Sequence, residues 1–219
     1  MPGWEEDYQM LTGAILAGDS SCITGAHGKA LLPFCGEILI QRQVRMLKSL
    51  CREVIIVTNE PKLYLPILGN SVRIITDYFP GKGQLGGMHA ALSLSTSNHL
   101  WIVGSDMPFL SAKAAGLMQS LMEPEIDAVI PHYGNESYML HGIYHKRCLA
   151  QVSAALEKGR YELAVLEESL RIKRMDEHFF KGNDVEPHFV TRINTTEAYH
   201  HAMQLNYSNQ EQAEAARCV

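Results

Sequence analysis

Three stretches carry residues from which chemistry can be built. The first, residues 12–34 (TGAILAGDSSCITGAHGKALLPF), runs from the apolar segment Ala14-Ile15-Leu16 into Ala17-Gly18, a loop of small residues and one cation, Lys29. A Gly-rich loop directly after the first strand of an α/β chain turns backbone N–H groups toward an anion, and a lysine at its far end meets the same charge. That is a phosphate site in outline, although an ordinary surface loop between strand and helix fits the glycine and serine content equally well. Two common phosphate loops are excluded. GxxxxGK[ST] fails because Ala30 follows the lysine, and GxGxxG fails because Gly18, Gly25 and Gly28 are spaced seven and three apart.

The second stretch is residues 76–92, TDYFPGKGQLGGMHAAL. Asp77 ends a strand, a Pro-Gly turn follows, and Leu85-Gly86-Gly87 opens a helix whose free N–H groups can face a ligand. A carboxylate there can accept two hydrogen bonds, from N1–H and the exocyclic amine of guanine, a pairing adenine does not offer. It can equally be an aspartate that stabilises its own turn. The third stretch, residues 101–110 (WIVGSDMPFL), is an apolar strand with Asp106 at its carboxyl end, where a hard-oxygen ligand for Mg²⁺ would stand. A capping role for Asp106 is weakened because Ser111 already supplies the cap of the next helix.

The elements that must position these residues follow from the hydrophobic pattern. Apolar runs at Gly13–Leu16, Val54–Thr58, Val72–Ile75, Leu100–Val103, Ala128–Pro131 and Leu140–Tyr144 predict buried strands. Segments of helical period lie between several of them, among them Glu37 to Leu50 and Ser111 to about Met122. Strands alternating with helices predict a three-layer α/β/α fold with a mainly parallel central sheet. Ligands of such sheets sit outside the carboxyl ends of the strands, so all three stretches should face one crevice. Residues 176–187 read as a loop before a closing strand, His188–Ile193. Asn194 and Glu197 have capping-box spacing for a last helix from about Thr195 to Leu205, and the polar residues 206–219 predict a flexible tail.

At 219 residues and 46% hydrophobic content the chain suffices for one sizeable core, so a single domain over 1–219 is expected. A formal net charge of −5 gives no electrostatic footprint for nucleic acid. The start MPGWEEDYQM lacks the pattern of a signal peptide, and no apolar run approaches the roughly 20 residues of a membrane helix, so a cytoplasmic protein with no membrane partner is expected. Five cysteines (Cys22, Cys35, Cys51, Cys148, Cys218) without ligand spacing argue for reduced thiols rather than a disulfide frame or zinc site.

The loop at 12–34 resembles the signature loop of the nucleotidyltransferases of the molybdenum cofactor guanylyltransferase (MobA) type. Leu16, Ala17, Gly18, Ser21, Gly25 and Lys29 keep that pattern in register, whereas Asp19 stands for a second Gly, Ile23-Thr24 for Arg-Met and Gly28 for Asp. PGxGxLGG after Asp77, Asp-Met-Pro-Phe at Asp106, and Asn194-Thr195 in RINTTEAY resemble further motifs of the family, over about residues 12–205. The resemblance implies a Rossmann-like, GT-A-like nucleotidyltransferase fold. It implies transfer of GMP from GTP to molybdenum-bound molybdopterin, with Mg²⁺ as cofactor and other molybdenum cofactor biosynthesis and insertion proteins as partners. It assigns GTP binding to Leu16, Ala17, Gly18, Lys29, Asp77 and Asp106, catalysis to Lys29 and Asp106, and the metal to Asp106. The nucleotide half is expected at 12–110 and the acceptor half at 111–205, where His141, His145 and Arg160 are candidates for the pterin and Asn194 for a second contribution to the metal. Lys82, Arg42 and Arg45 are candidates to replace the arginine missing at Ile23. A homologue that binds nucleotide or a protein partner without catalysis, and a transferase using another nucleotide or acceptor, remain alternatives.

Overall fold

The structure, a computed structural model, describes residues 11–18 and 28–217. Strand β1 (Leu11–Leu16) is followed by a hairpin of β2 (Pro33–Phe34) and β3 (Glu37–Ile38), helix α1 (Leu39–Lys48), β4 (Glu53–Val57), α2 (Pro61–Leu68), β5 (Arg73–Ile75) and α3 (Gly83–Leu94). Then come β6 (His99–Gly104), α4 (Ala112–Gln119), β7 (Ala128–Tyr133), β8 (Glu136–Ser137), β9 (Gly142–His145), α5 (Leu149–Glu157), β10 (Ile172–Met175), α6 (Glu177–Gly182) and α7 (Thr196–Arg217).

The central sheet has the order β10-β7-β9-β6-β1-β4-β5, with β8 paired to β7. β1 lies parallel to both β4 and β6, β4 to β5, and β10 to β7, while β9 runs antiparallel between β6 and β7. This is the expected α/β fold with a mixed, mainly parallel sheet. β1 is buried at every residue, as a strand covered on both faces must be. Side chains alternate along it, so Gly13 and Leu16 point to opposite faces. A β-carbon on Gly13 would lie 2.5 Å from Leu47 Cδ2 of α1, whereas one on Gly87 of α3 would lie 3.4 Å from Leu16 Cδ2. The two helices therefore cover opposite faces of the same strand, the glycines allowing close approach, and the three layers follow.

Several local expectations are corrected. Glu37–Ile38 is a strand rather than the start of α1, because Cys35 and Gly36, at φ 51° and 85°, turn the chain back into a hairpin. His188–Ile193 is not a strand: Pro187–Val190 forms a 3-10 turn that packs Phe189 against Phe180 and His141. Residues 177–182 are helical, with Asp176 Oδ1 accepting from Phe179 N at 2.9 Å. The last strand of the sheet is β10, which lies parallel to β7 at the edge. The last helix is capped by Thr195, whose Oγ1 accepts from Ala198 N at 3.1 Å, and its backbone continues to Arg217, past the expected end at Leu205. No helix of the described residues is long and apolar enough to cross a membrane. Cys35, Cys51 and Cys148 are free thiols, with burial raising Cys51 and Cys148 to about 12.

Candidate nucleotide site

The parallel strands β1, β4 and β6 end at one edge of the sheet, and a cleft of about 420 Å³ opens there. Leu16, Gly18, Thr58, Asn59, Ser105 and the start of α3 contribute to its wall. Asp77 and Asp106 both open into it, so the two carboxylates singled out by the sequence share one cleft.

At the Asp77 end, Oδ1 accepts from Phe79 N at 2.7 Å, and Asn59 Oδ1 accepts from Asp77 N at 3.3 Å. Asp77 therefore does stabilise its own turn. The rest of its carboxylate rests on the first turn of α3, at Gly86. Gly81 and Gly83, at φ 78° and 62°, provide the left-handed steps that fold this loop over the helix start. The helix begins at Gly83, two residues earlier than its Leu85-Gly86-Gly87 signature, so its leading N–H groups lie beside the cleft.

At the other end, β6 delivers Asp106 just past Gly104. The buried Gln43 of α1 fixes the turn, its Nε2 donating to Gly104 O and Met107 O, both at 2.9 Å. Ser105 N also donates to Leu16 O at 3.2 Å, tying the turn to β1. Asp106 is 4% exposed. Its Oδ2 accepts from Arg192 Nε at 3.0 Å and Nη2 at 2.8 Å, and Lys29 Nζ is 4.0 Å from the same oxygen. Oδ1 is buried against Gly104 and has no hydrogen-bond partner among the described residues.

Lys29 is buried in the 3-10 turn Lys29–Leu31 and reaches the floor of the cleft through Asp106. Leu16 and Gly18 line the cleft, while the Ala17 N–H is already used by Val57 O at 2.8 Å. Asp19, Ser21, Cys22, Ile23, Thr24 and Gly25 lie outside the described residues. The candidate replacement cations are elsewhere. Lys82 stacks its ammonium on Tyr161, 4.2 Å from the ring centre. Arg42 and Arg45 both bind Glu37, and Arg42 also donates to Pro108 O and Asn206 Oδ1. Among the described residues a second cation stands with Lys29 at this end of the cleft, Arg192, which sequence reasoning missed. Its one signal was a basic residue two positions before Asn194.

The pterin candidates are not in the cleft either. His141 has no exposed surface, packs on Trp101 and Phe189, and accepts from Ser111 N at 3.2 Å; burial pushes it down to about 3. His145 meets His99 edge to face at the opposite edge of the sheet. Arg160 is engaged by both carboxylate oxygens of Glu168. Asn194 is exposed.

The donor set can be tested for a metal. No group of three His, Cys, Asp or Glu side chains among the described residues could hold one. Mg²⁺ accompanying a nucleotide needs only one or two carboxylates, with phosphates and waters completing its shell. Asp106, with a buried oxygen that has no hydrogen-bond partner among the described residues, fits that single-ligand role.

Comparison with known proteins bears on the family. A profile of the MobA-like NTP transferase domain matches residues 13–173. The molybdenum cofactor guanylyltransferase of Desulfosudis oleivorans is 31% identical over 187 residues, covering 85% of this chain and 91% of that protein. A probable molybdenum cofactor guanylyltransferase of Pelotomaculum thermopropionicum is 30% identical, covering 84% and 87%. The crystal structure of molybdopterin-guanine dinucleotide biosynthesis protein A from Archaeoglobus fulgidus superposes with a TM-score of 0.78 at 21% identity, over 90% of this chain and 99% of that one. With the profile spanning most of its length and its carboxylates meeting in one crevice, the chain belongs to the MobA-like NTP transferase family.

Proposed function

We propose that the protein transfers GMP from GTP to the terminal phosphate of molybdenum-bound molybdopterin, releasing pyrophosphate, in the cytoplasm. The observation that carries this reading is the single cleft with Asp77 at one end and Asp106, Lys29 and Arg192 at the other. Asp77 accepts from the N1–H and amine of guanine, and α3 offers N–H groups to the nucleotide. Lys29 and Arg192 offset charge on the phosphates. An acceptor phosphate oxygen, already anionic at neutral pH, forms the new bond to the α-phosphorus as the bond to the pyrophosphate oxygen breaks, so no general base is required. Catalysis is then positioning plus charge neutralisation. Mg²⁺, held by Asp106, would supply further charge neutralisation when bound.

On this reading residues 12–110 hold the nucleotide and 111–205 receive the acceptor, with Arg192 crossing from the second half to the first. Molybdenum cofactor biosynthesis and insertion proteins are the natural partners for delivery and onward transfer. The test is transfer of radiolabelled GMP from GTP to molybdenum-molybdopterin, with ATP and CTP as competitors. Asp106→Asn should lower turnover by roughly 10²–10³, the usual cost of losing one preorganised electrostatic group. Equal use of CTP would overturn the guanine assignment. A second reading, a homologue that binds GTP without transferring it, is favoured by Arg192 occupying Asp106 Oδ2 and by Ile23 and Asp19 in the signature loop. GTP binding with no labelled product would decide for it.

A further inference from the structure

We propose that Arg192 is a tethered cation that closes Asp106 to free divalent metal, so that the anionic nucleotide, and not the metal, enters the cleft first. The inference rests on the nucleotide reading of the cleft, and concerns the order and the metal dependence of binding.

Arg192 Nε and Nη2 both donate to Asp106 Oδ2, at 3.0 Å and 2.8 Å. Lys29 Nζ stands 4.0 Å from the same oxygen. The Asp106 side chain is 5% exposed and that of Arg192 39%, so the carboxylate is enclosed while the guanidinium remains at the cleft surface. Asp106 Oδ1 is buried against Gly104, so a bare divalent cation must take Oδ2, and to do so it must break the two charge-assisted hydrogen bonds from Arg192.

A triphosphate meets the opposite situation. A guanidinium carries five N–H donors, and Oδ2 takes two of them. The remaining donors suit phosphate oxygens, for which the planar fork of arginine is better matched than the point charge of lysine. Once a phosphate takes the guanidinium, Asp106 Oδ2 is released and can serve a metal brought in with the nucleotide. Arg192 thus exchanges a carboxylate for a phosphate, with no net loss of paired charge. Its anchorage favours that exchange: Ile193 N donates to Asp106 O at 2.7 Å, holding the backbone in place while the side chain moves.

The test uses the full chain with two readouts besides activity. Mn²⁺ binding without nucleotide is followed by electron paramagnetic resonance, and GTP binding by calorimetry in EDTA and in Mg²⁺. The wild type should show no Mn²⁺ site tighter than about 1 mM, and its GTP affinity in EDTA should stay within about threefold of that in Mg²⁺. Arg192→Gln should lose about tenfold or more of the EDTA affinity, recover it in Mg²⁺, and gain Mn²⁺ occupancy without nucleotide. Arg192→Lys should keep most of the EDTA affinity. A wild type that takes up Mn²⁺ unaided, or whose GTP binding EDTA abolishes, overturns the proposal, and these two arms need no variant to fold. CTP is run in parallel: binding of CTP in place of GTP removes the guanine reading while leaving the Arg192 comparison intact. If no nucleotide binds at all, the nucleotide reading fails and the ordered-entry proposal falls with it, whatever the Mn²⁺ arm shows.

Discussion

Asp77 and Gly86 are packed so closely that a β-carbon on Gly86 would lie 2.5 Å from Asp77 Oδ2 and 3.0 Å from its Oδ1. The glycine at this point of α3 is thus the seat of the carboxylate and not a conformational requirement of the helix. Alanine there is a better helix former, by up to about 1 kcal/mol. Gly86→Ala should push Asp77 out of place and cost the turn its bond from Phe79 N, so that the helix gain is largely offset and the melting temperature falls slightly. The expected loss is about tenfold in GTP affinity, or about 1.4 kcal/mol, read by calorimetry. Unchanged GTP affinity would remove Asp77 from the base-recognition role.

His141 sits at φ 69°, wholly buried, with its Nε2 accepting the Ser111 N–H that leads into α4. Burial pushes it down to about 3, so it is neutral in the folded protein. Below the ordinary histidine value of about 6.5 the unfolded chain takes up a proton that the folded chain refuses, and stability falls by about 1.4 kcal/mol per pH unit from this group. This contribution is present above pH 6.5 and lost progressively toward about 3. His141→Asn tolerates the left-handed backbone better than most residues but loses the packing on Trp101 and Phe189. It should be less stable than the wild type at pH 7 and show a shallower decline between pH 6.5 and 5, measured by urea unfolding.

At the sheet edge opposite the cleft, Asp127 joins Arg171 and Arg147, at 3.0 Å and 2.7 Å. Burial works to raise Asp127, but the side-chain and backbone bonds from Arg171 and the bond from Arg147 outweigh it and hold the carboxyl near about 2. The stabilisation is complete above the ordinary carboxylate value and is lost as pH falls through about 2. Asp127→Asn should cost on the order of 2 kcal/mol at pH 7, with a flatter acid limb below pH 4 and unaltered GTP affinity. A drop in GTP affinity would mean that this edge communicates with the cleft.

What the sequence revealed follows from where selection of residue type is strict. β1, β4 and β6 are buried almost throughout, so each appears as a mainly apolar run. Asp77 and Asp106 were legible because each ends such a run just before a Pro-containing turn. β10 was missed because its polar side chains, Lys173 and Arg174, are satisfied by Glu123 and Glu167 and so break the apolar pattern of an edge strand. The run at 188–193 was misread because Phe189 enters an aromatic cluster with Phe180, Tyr133 and His141, a packing that periodicity does not distinguish from a ladder. Arg192 and Gln43 act through tertiary contacts with the Asp106 turn, which leave no local signature.

The guanidinium that neutralises Asp106 lies 86 positions farther along the chain. On a ribosome, therefore, β1, β4 and β6 can assemble well before position 192 has been made, leaving an enclosed carboxylate that lacks one of its two cations. Enclosing a poorly matched charge is costly, so this corner settles when the last segment arrives and Ile193 latches onto Asp106. An unfinished or C-terminally clipped polypeptide would then lack the ion pair that closes this corner, and an intact cleft would be reserved for completed molecules.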